Sequence, residues 1–536
     1  MTAAPAARPP SRTLTIGGTA YPLFLPSIRD PRLHVASVLV TIQILGQIGL
    51  HFRLSVPQIL ASILTCAIIE VALTFRSSKA FVWPASAMLT GNGVALILRV
   101  VGTPPDDPWN TYAWWVFAIV GGLSLLSKYV IKYRGTHVFN PSNIGLVVTF
   151  VLLGSSLVEP LDFWWAPLSD PLMVIAYVVI IGGGLLITRR LRLLALAAAF
   201  WLTLTAGVGV LAASDHCMTA NWAFAPVCGF DFWRVIVTSP EVMIFLFFMI
   251  TDPKTTPGGQ VGRILFGFFV AVASVLLMAP QTNEFGTKVG LLAGLVLICA
   301  TRPILDRLVP EPKSAADHFG PFATRVAMGK PGAGVLRGIA GIAVLVIAVF
   351  GLGVGIVAAG TPAREGASPD VGEVLNDIPH QVDPATFPAI TVGKDVTDWD
   401  NTITGDGARD IVQTLAENLE LENQALLRRD PSILPAIDHG DRLNEMRDRI
   451  AAATADGKAT ISHYDFDDIS MRIRRPSGLQ TGLSLGLDAT GTVTEQIYDA
   501  TGALVGTTTK PFDLTFAMRR ATGSRWLNVA VLPAGG

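Results

Sequence analysis

The sequence predicts a polytopic α-helical membrane protein with a small α+β domain at its C-terminal end. Three observations predict it. The 536 residues are 51% hydrophobic and only 15% charged, well below the charged fraction usual in soluble domains, and mean hydropathy is +0.50. Apolar residues gather into eleven runs, each near the ~20 residues that a spanning helix needs. The net charge of −1 hides an asymmetry: residues 361–536 hold 26 of 41 acids and 16 of 40 bases, a net −10, which leaves +9 on residues 1–360. That break follows the last apolar run and marks a second domain.

Residues 1–33 are Pro- and Arg-rich, with Arg8, Arg12, Arg29 and Arg32, and read as a short cytoplasmic lead-in. The apolar runs cover 34–51, 56–75, 80–101, 112–131, 141–158, 171–188, 193–213, 235–251, 262–280, 287–302 and 337–360. Bases alternate by loop. One set carries Arg76 and Lys79; Lys132 and Arg134; Arg189, Arg190 and Arg192; Lys254 and Arg263; Arg302, Arg307 and Lys313. The other is acidic or neutral, with Asp106 and Asp107, Glu159 and Asp162, Asp215 and Glu284. The positive-inside rule then puts the N-terminus in the cytoplasm and the tail outside. The runs predict a membrane core over 34–306, a cytoplasmic loop over 307–336 and an eleventh spanning helix over 337–360.

Phe139-Asn140-Pro141-Ser142-Asn143 heads the fifth run where a basic loop meets it. Asn caps helices and Pro suits the first turn. A helix starting here aims free N–H groups and a positive dipole end at the membrane boundary, which suits an anion such as a cofactor phosphate, although a plain helix start reads the same way. Asp252 ends the eighth run just before Pro253, where a carboxylate opposes the helix dipole, so Lys254, Arg263 or a ligand is expected to offset it. Charges within runs are costly. Glu70 reads as reaching the boundary beside Arg76, whereas Glu241, which follows Pro240, reads either as part of an ion pathway or as a structural partner of Arg234.

Cys217 and Cys228 share one extracytoplasmic loop, with Trp222 and Pro226 between them, and predict a disulfide there. Cys66 and Cys299 lie within runs and read as small buried hydrophobes. Two segment pairs hint at an inverted repeat: Pro84-Ala85-Ser86-Ala87-Met88 with Ser239-Pro240-Glu241-Val242-Met243, and Asn143-Ile144-Gly145-Leu146 with Lys288-Val289-Gly290-Leu291. Five runs separate each pair, which reverses direction.

Residues 361–400 are rich in Pro, Asp, Gly and Thr and read as a linker. Over 401–536, helical spacing covers 408–428 and about 442–453, and alternation then predicts six strands: 461–473, 482–487, 493–498, 503–509, 514–519 and 526–531. Two helices on a curved antiparallel sheet result. This tail resembles the cone-shaped NTF2-like domains found outside many actinobacterial membrane proteins. His463 and Asp465 lie close enough to serve as acid and base, or simply as a solvated strand edge.

The membrane part carries a sharper resemblance. Ala87-Met88-Leu89-Thr90-Gly91, Phe139-Asn140-Pro141-Ser142, and Met249-Ile250-Thr251-Asp252-Pro253-Lys254-Thr255 followed by Gly262-Arg263-Ile264-Leu265-Phe266-Gly267 occur in this order. Over about residues 35–306 the chain resembles the D subunit of the Rnf electron-transport complex and the B subunit of the sodium-pumping NADH:quinone oxidoreductase. It is closer still to the membrane proteins of that superfamily found in enediyne biosynthesis clusters. The resemblance implies a ten-helix core of two inverted halves, flavin (FMN or riboflavin), and electron transfer coupled to ion movement. Its partners would be the lipid bilayer and other membrane or extracytoplasmic redox proteins, with no nucleic acid. Thr90, Gly91, Asn140, Pro141, Thr251, Asp252 and Pro253 match the cofactor-binding blocks, and Lys132, Arg134 and Lys254 add cations beside Asn140 and Asp252. The family's covalent flavin hangs on a Thr in a Ser/Thr-Gly-Ala-Thr motif. No Gly-Ala-Thr occurs here, which leaves a noncovalent flavin or a fold whose redox role has lapsed. There is no Walker loop, dinucleotide glycine fingerprint, CxxC or zinc spacing. A transporter or channel of the same repeat architecture, and a membrane anchor presenting the tail to partners, are the competing expectations.

Overall fold

The structure, a computed structural model, describes residues 12–50, 52–104, 107–155, 157–161, 171–218, 220, 227–312, 314, 317–328, 335–361, 386–474, 484–520 and 525–534. Arg8, Asp106, Asp162, Lys313, Trp222, Pro226 and most of 361–400 lie outside these. The chain forms two compact units, Met1–Met218 with Cys228–Glu365, and Thr219–Val227 with Gly366–Gly536.

In the first unit a helix forms within each of the eleven apolar runs. Within the stretch read as a short cytoplasmic lead-in lies a hairpin, β1 (Arg12–Ile16) and β2 (Thr19–Phe24), that turns at Gly17-Gly18, where both residues have positive φ. Asp30 caps α1 (Pro31–Ile48), and Ser55 with Gln58 forms a capping box on α2 (Val56–Ser78). β3 (Phe81–Val82) runs parallel to β2, and Tyr21, Phe75 and Phe81 cluster beneath the pair.

The third and fifth runs were expected to span as helices. They stop short: α3 (Ala85–Ile97) gives way to β4 (Leu98–Val100), and α5 (Pro141–Leu153) ends at Gly154 before β7 (Val158–Pro160). The β-branched stretch Val100-Val101 and the glycines that follow favour extended chain. β4 and β7 pair antiparallel, which satisfies the backbone that the helices abandon. Between them lie α4 (Trp114–Val130) and a hairpin, β5 (Lys132–Tyr133) and β6 (Thr136–His137).

α6 (Pro171–Arg190) and α7 (Leu194–Ala212) follow, then β8 (Cys217–Met218) and β9 (Val227–Cys228), which the expected Cys217–Cys228 disulfide joins with the Cα atoms 4.3 Å apart. The eighth run is broken. α8 (Gly229–Thr238) stops at an extended Ser239, and α9 (Pro240–Ile244) restarts at Pro240 and runs into a π-helix, Phe245–Met249. Pro240 has no N–H to continue the ladder and disfavours helix at Ser239. α10 (Gln260–Met278), α11 (Glu284–Ala300), α12 (Arg302–Leu308), α13 (Phe319–Met328) and α14 (Val335–Ala359) complete the unit. Among the described residues five helices are long and apolar enough to cross a membrane: Val56–Ser78, Pro171–Arg190, Leu194–Ala212, the broken Gly229–Met249 and Gln260–Met278.

Contacts recur along this unit. α2 packs on α3 and α4, and α4 on α5; α7 packs on α8 and α10, and α10 on α11. Small residues make the last contact in each set. A Cβ on Gly145 would fall 1.7 Å from Ser124 Oγ of α4, and one on Gly294 would fall 2.2 Å from Ser274 Oγ of α10. Only glycine lets these backbones approach.

In the second unit, β10 (Ile390–Val392) and α15 (Lys394–Trp399) lie inside the stretch read as linker, so the folded tail begins upstream of residue 401. α16 (Asp406–Arg428), a 3₁₀ turn and α17 (Gly440–Asp456) precede the sheet. The six expected strands are four long ones: β11 (Ala459–Arg474), β12 (Ser484–Tyr498), β13 (Leu504–Arg520) and β14 (Trp526–Pro533). Thr490-Gly491-Thr492 reads as a turn, but stays paired to both neighbours beside a bulge at Phe466/Asp468. The sheet order is β10-β11-β12-β13-β14, antiparallel except that β10 runs parallel to β11. A buried polar layer, Asn418, Glu422, Arg442 and Asn528, separates two apolar clusters around α16.

Candidate functional site

The start of α5 builds one side of the site. Asn140 Oδ1 accepts from Asn143 N (3.3 Å) and from Ser142 Oγ (2.8 Å), while Asn140 Nδ2 donates to the Met249 carbonyl (3.1 Å). Asn143 Nδ2 donates to the Leu292 carbonyl (3.0 Å). Both asparagines therefore tie α5 to the π-helix and to α11. Asn140, Ser142 and Asn143 are 8%, 7% and 1% exposed, which buries this helix N-terminus away from any phosphate.

Asp252 follows the π-helix. Of the expected offsets, Arg263 does not meet it. His137 Nε2 lies 3.0 Å from Asp252 Oδ2, and Lys254 N donates to Oδ1 at 3.0 Å. Arg263 donates instead to the Pro257 and Arg192 carbonyls. Thr251 Oγ1 donates to the Phe247 carbonyl. Pro253 and Lys254 are exposed, and Arg302 Nη1 reaches the Lys254 carbonyl at 2.7 Å. Arg134, at positive φ, lies 3.9 Å from Asp306 and stays 68% exposed. The structure thus brings Asn140 and Asp252 together through Met249 and the His137 hairpin, with their polar atoms turned on the protein itself.

Thr90 and Gly91 play packing roles. Thr90 Oγ1 donates to the Ser86 carbonyl, and a Cβ on Gly91 would strike the Ser62 carbonyl at 2.6 Å. Gly91 lets α3 lie against α2, where Ser62 Oγ donates to the Gly91 carbonyl.

A second polar centre, of which sequence reasoning named Glu241 alone, lies at the break in the helix. Lys288 Nζ sits 2.7 Å from Glu284 Oε1 on the preceding turn of α11, 3.5 Å from Glu241 Oε1 on α9, and 3.5 Å from the Leu161 carbonyl. All three side chains are at most 15% exposed. Arg234 turns away from Glu241 to Asp231. The i, i+4 spacing of Glu284 and Lys288 was the available signal, masked because Glu284 reads as a loop residue. Glu70 likewise finds Lys128 Nζ at 2.7 Å and the Tyr129 hydroxyl at 2.5 Å, not Arg76.

Glu241 and Lys288 line a small cleft whose other walls are apolar, among them Leu96, Phe245, Met249 and Leu292. It reaches from the Asn140–Met249 and Asn143–Leu292 ties to the strand β7, where Arg99 and Glu159 pair at 3.2 Å. Cys66 and Cys299 are both buried thiols, and His463 sits 3.5 Å from Glu420 on a solvated strand. Among the described residues no group of His, Cys, Asp and Glu is placed to hold a metal.

The chain matches no known protein-family model and no curated protein.

Proposed function

We propose that the first unit is the ion-translocating membrane subunit of an electron-transport system and holds a flavin noncovalently in the cleft. The observation that carries the reading is the Lys288–Glu241–Glu284 cluster, set at the polar end of an apolar cleft beside interrupted helices. Ionisable groups kept at membrane depth mark ion paths, and discontinuous helices with inverted repeats build such paths. A π-helical turn, found often at functional sites, begins at Phe245, one helical turn after Glu241. The recurrence of helix contacts and of the Ser124–Gly145 and Ser274–Gly294 approaches at an offset of five spans supports a ten-helix core of two inverted halves. The alternation of basic loops, with β2 paired to the Arg76–Lys79 side of the chain, supports a cytoplasmic N-terminus and an extracytoplasmic tail.

The residues fit one part of the cofactor and not another. The Asn140–Asp252 region does not fit a phosphate, because its helix N-terminus is buried and a carboxylate stands beside it. The apolar lining of the cleft suits a flat, largely apolar ring. Phe245, Met249, Leu291 and Leu292 would hold it, and Lys288 would meet its polar edge. A bound flavin supplies a carrier of one or two electrons there. The chain's own residues then act in two ways: Asn140 and Asn143 hold the backbone of the cleft residues Met249 and Leu292, and the Arg99–Glu159 pair joins β4 to β7 beside the cleft residue Pro160.

Purification followed by a visible spectrum tests this. A yellow protein whose colour passes wholly into the supernatant on acid precipitation is the expected result. Colour that stays with the precipitate overturns noncovalent binding. A colourless, folded protein favours transport without a redox cofactor, a second reading that the self-satisfied Asn140 and Asp252 side chains also support.

A further inference from the structure

We infer that the C-terminal unit binds a second copy of this chain through the open edge of β13. The two edges pair antiparallel about a two-fold axis at Thr507. The inference needs neither the flavin reading nor the ion-path reading.

The sheet treats its two sides differently. Helix side chains cover the edge of β11 that β10 leaves bare. Asn423 of α16 donates to the Ser462 carbonyl (2.9 Å) and accepts from Ser462 N (3.0 Å), and Arg449 of α17 donates to the Thr460 carbonyl (3.1 Å). On the far side, β12 pairs with β13 from Leu504 to Met518, but β14 joins only from Leu514 onward. From Leu504 to Pro511 every residue except Gly506 is exposed, Leu504 and Val505 by 52% and 55%. One bond fixes which backbone groups face outward: Ala534 N donates to the Asp513 carbonyl (3.3 Å), on the side away from β12. Antiparallel ladders alternate, so odd-numbered residues upstream also turn their N–H and C=O away from β12. Pro511 agrees with this parity, because its missing N–H falls on the outer side, where a strand proline costs no ladder bond. Val505, Thr507 and Thr509 therefore each present an N–H and a C=O that no strand among the described residues pairs.

A long exposed edge is a template for a further strand. The edge's own sequence favours a second copy as that strand. With the axis at Thr507, Thr507 meets the partner's Thr507 and Val505 meets the partner's Thr509. Every outward N–H and C=O of Val505, Thr507 and Thr509 is then used in both copies. Sliding the axis to Thr508 would set the Val505 carbonyl opposite the partner's Pro511, which has no N–H to give. The side chains agree with the first register. Val505, Thr507 and Thr509 share one face of β13, and all three cross-strand pairs on it are β-branched, a favourable combination. Charge agrees as well. Lys510 is the one charged side chain from Leu504 to Phe512, and Glu495 of its own copy holds it at 2.8 Å. It falls opposite the partner's Leu504, so no like charges meet. An unrelated extended peptide could bond to the same backbone groups, but one charged side chain gives the edge little with which to select it.

Cross-linking of the full-length protein in detergent tests the pairing and its register together. Thr507→Cys should form a disulfide with the partner's copy of itself under mild oxidation, because residues facing each other in a hydrogen-bonded pair have Cα atoms about 5.5 Å apart, within disulfide reach. Thr508→Cys should not, since its own copies would stand about 8 Å apart, beyond that reach. The expected readout is a dimer on a denaturing gel for Thr507→Cys alone, lost on reduction. Light scattering should give the wild type the mass of two chains, and hydrogen exchange should find its 504–511 segment protected. Thr507→Pro removes one outward N–H, and should halve the mass and restore fast exchange in that segment. A monomeric wild type, a link through Thr508→Cys but not Thr507→Cys, or a dimer whose 504–511 segment exchanges freely would each overturn the inference. So would a protected segment in a monomer, which would mean that another extended segment occupies the edge. Should Thr507→Pro fail to fold, the two cysteine variants and the wild-type exchange decide by themselves. None of these readouts depends on colour or on ion movement, so their failure leaves the earlier reading where it stands.

Discussion

Asn140→Ala and Asn140→Ser together separate two jobs of one side chain. Asn140 caps α5 through Oδ1 and ties α5 to the π-helix through Nδ2. Alanine loses both. A lost N-cap costs about 1 kcal/mol. Losing the tie takes the donor from the carbonyl of Met249, a residue 4% exposed, which adds about 1–3 kcal/mol. Asn140→Ala should therefore destabilise the first unit by about 2–4 kcal/mol. Serine keeps a capping oxygen but is too short to reach the Met249 carbonyl, so Asn140→Ser should lose only the tie, about 1–3 kcal/mol. The assay is thermal unfolding in detergent, followed by tryptophan fluorescence, with flavin content measured on the same samples. Equal stability of Asn140→Ser and wild type would show that the bond to Met249 contributes nothing. Unchanged stability of both variants, with flavin lost from both, would restore Asn140 as a ligand-holding residue and refute its role as a tie.

Four further outcomes are expected. Replacing both Cys217 and Cys228 with Ser should cost about 3 kcal/mol by the chain-entropy account of a short loop, and mass spectrometry of the unreduced wild type should find no free thiol at either position. Gly145→Ala should separate α4 from α5 and cost about 1–3 kcal/mol. Ser124→Gly should recover part of that loss, and strictly additive melting shifts in the double variant would mean that the two residues do not meet. In the tail, burial, and then the charge of Glu422, hold the Asp438 carboxyl well above the usual carboxylate range. The folded tail binds that proton more tightly than the unfolded one does, so this group's contribution is full below the unfolded pKa of about 3.9 and is lost as pH rises through the folded value. Asp438→Asn should flatten that fall, read by hydrogen exchange of α16 and α17 in the intact protein across pH. Finally, protease added outside intact cells should remove the tail; full protection of 401–536 would reverse the proposed orientation.

Much of this architecture was legible because membrane helices advertise themselves. Length, hydropathy and loop charge located a helix in every apolar run, and two cysteines in one loop specified their own bridge. What was not legible depends on distance in space. The third and fifth runs are apolar throughout, so hydropathy gave no hint that Leu98–Val100 and Val158–Pro160 leave the helix to pair with each other. Asn140 was legible as a cap but not as a tie, since its partner is a backbone carbonyl 109 positions away. Asp252 was legible as a carboxylate in an awkward place, whereas His137, which relieves it, lies on a hairpin two residues per strand long. In the tail, alternation found the sheet, but small turn-forming residues at 488–492 suggested a break where the strand merely bends.

The shortness of α3 and α5 bears on voltage. Thirteen residues rise about 20 Å, against about 30 Å of hydrocarbon. Under the proposed orientation both helices begin at the inner surface, so the pair β4–β7 and the mouth of the cleft lie some way below the outer one. If water follows the chain down to that mouth, the transmembrane potential no longer falls evenly across the bilayer. It falls mainly over the thinner slab between Glu241 and the inner ties. A charge crossing that slab experiences nearly the whole potential, worth about 2.3 kcal/mol per 100 mV, in a fraction of the usual distance. Under the proposed orientation, a short inner barrier would let a modest movement of one charge do most of the electrical work of crossing the membrane.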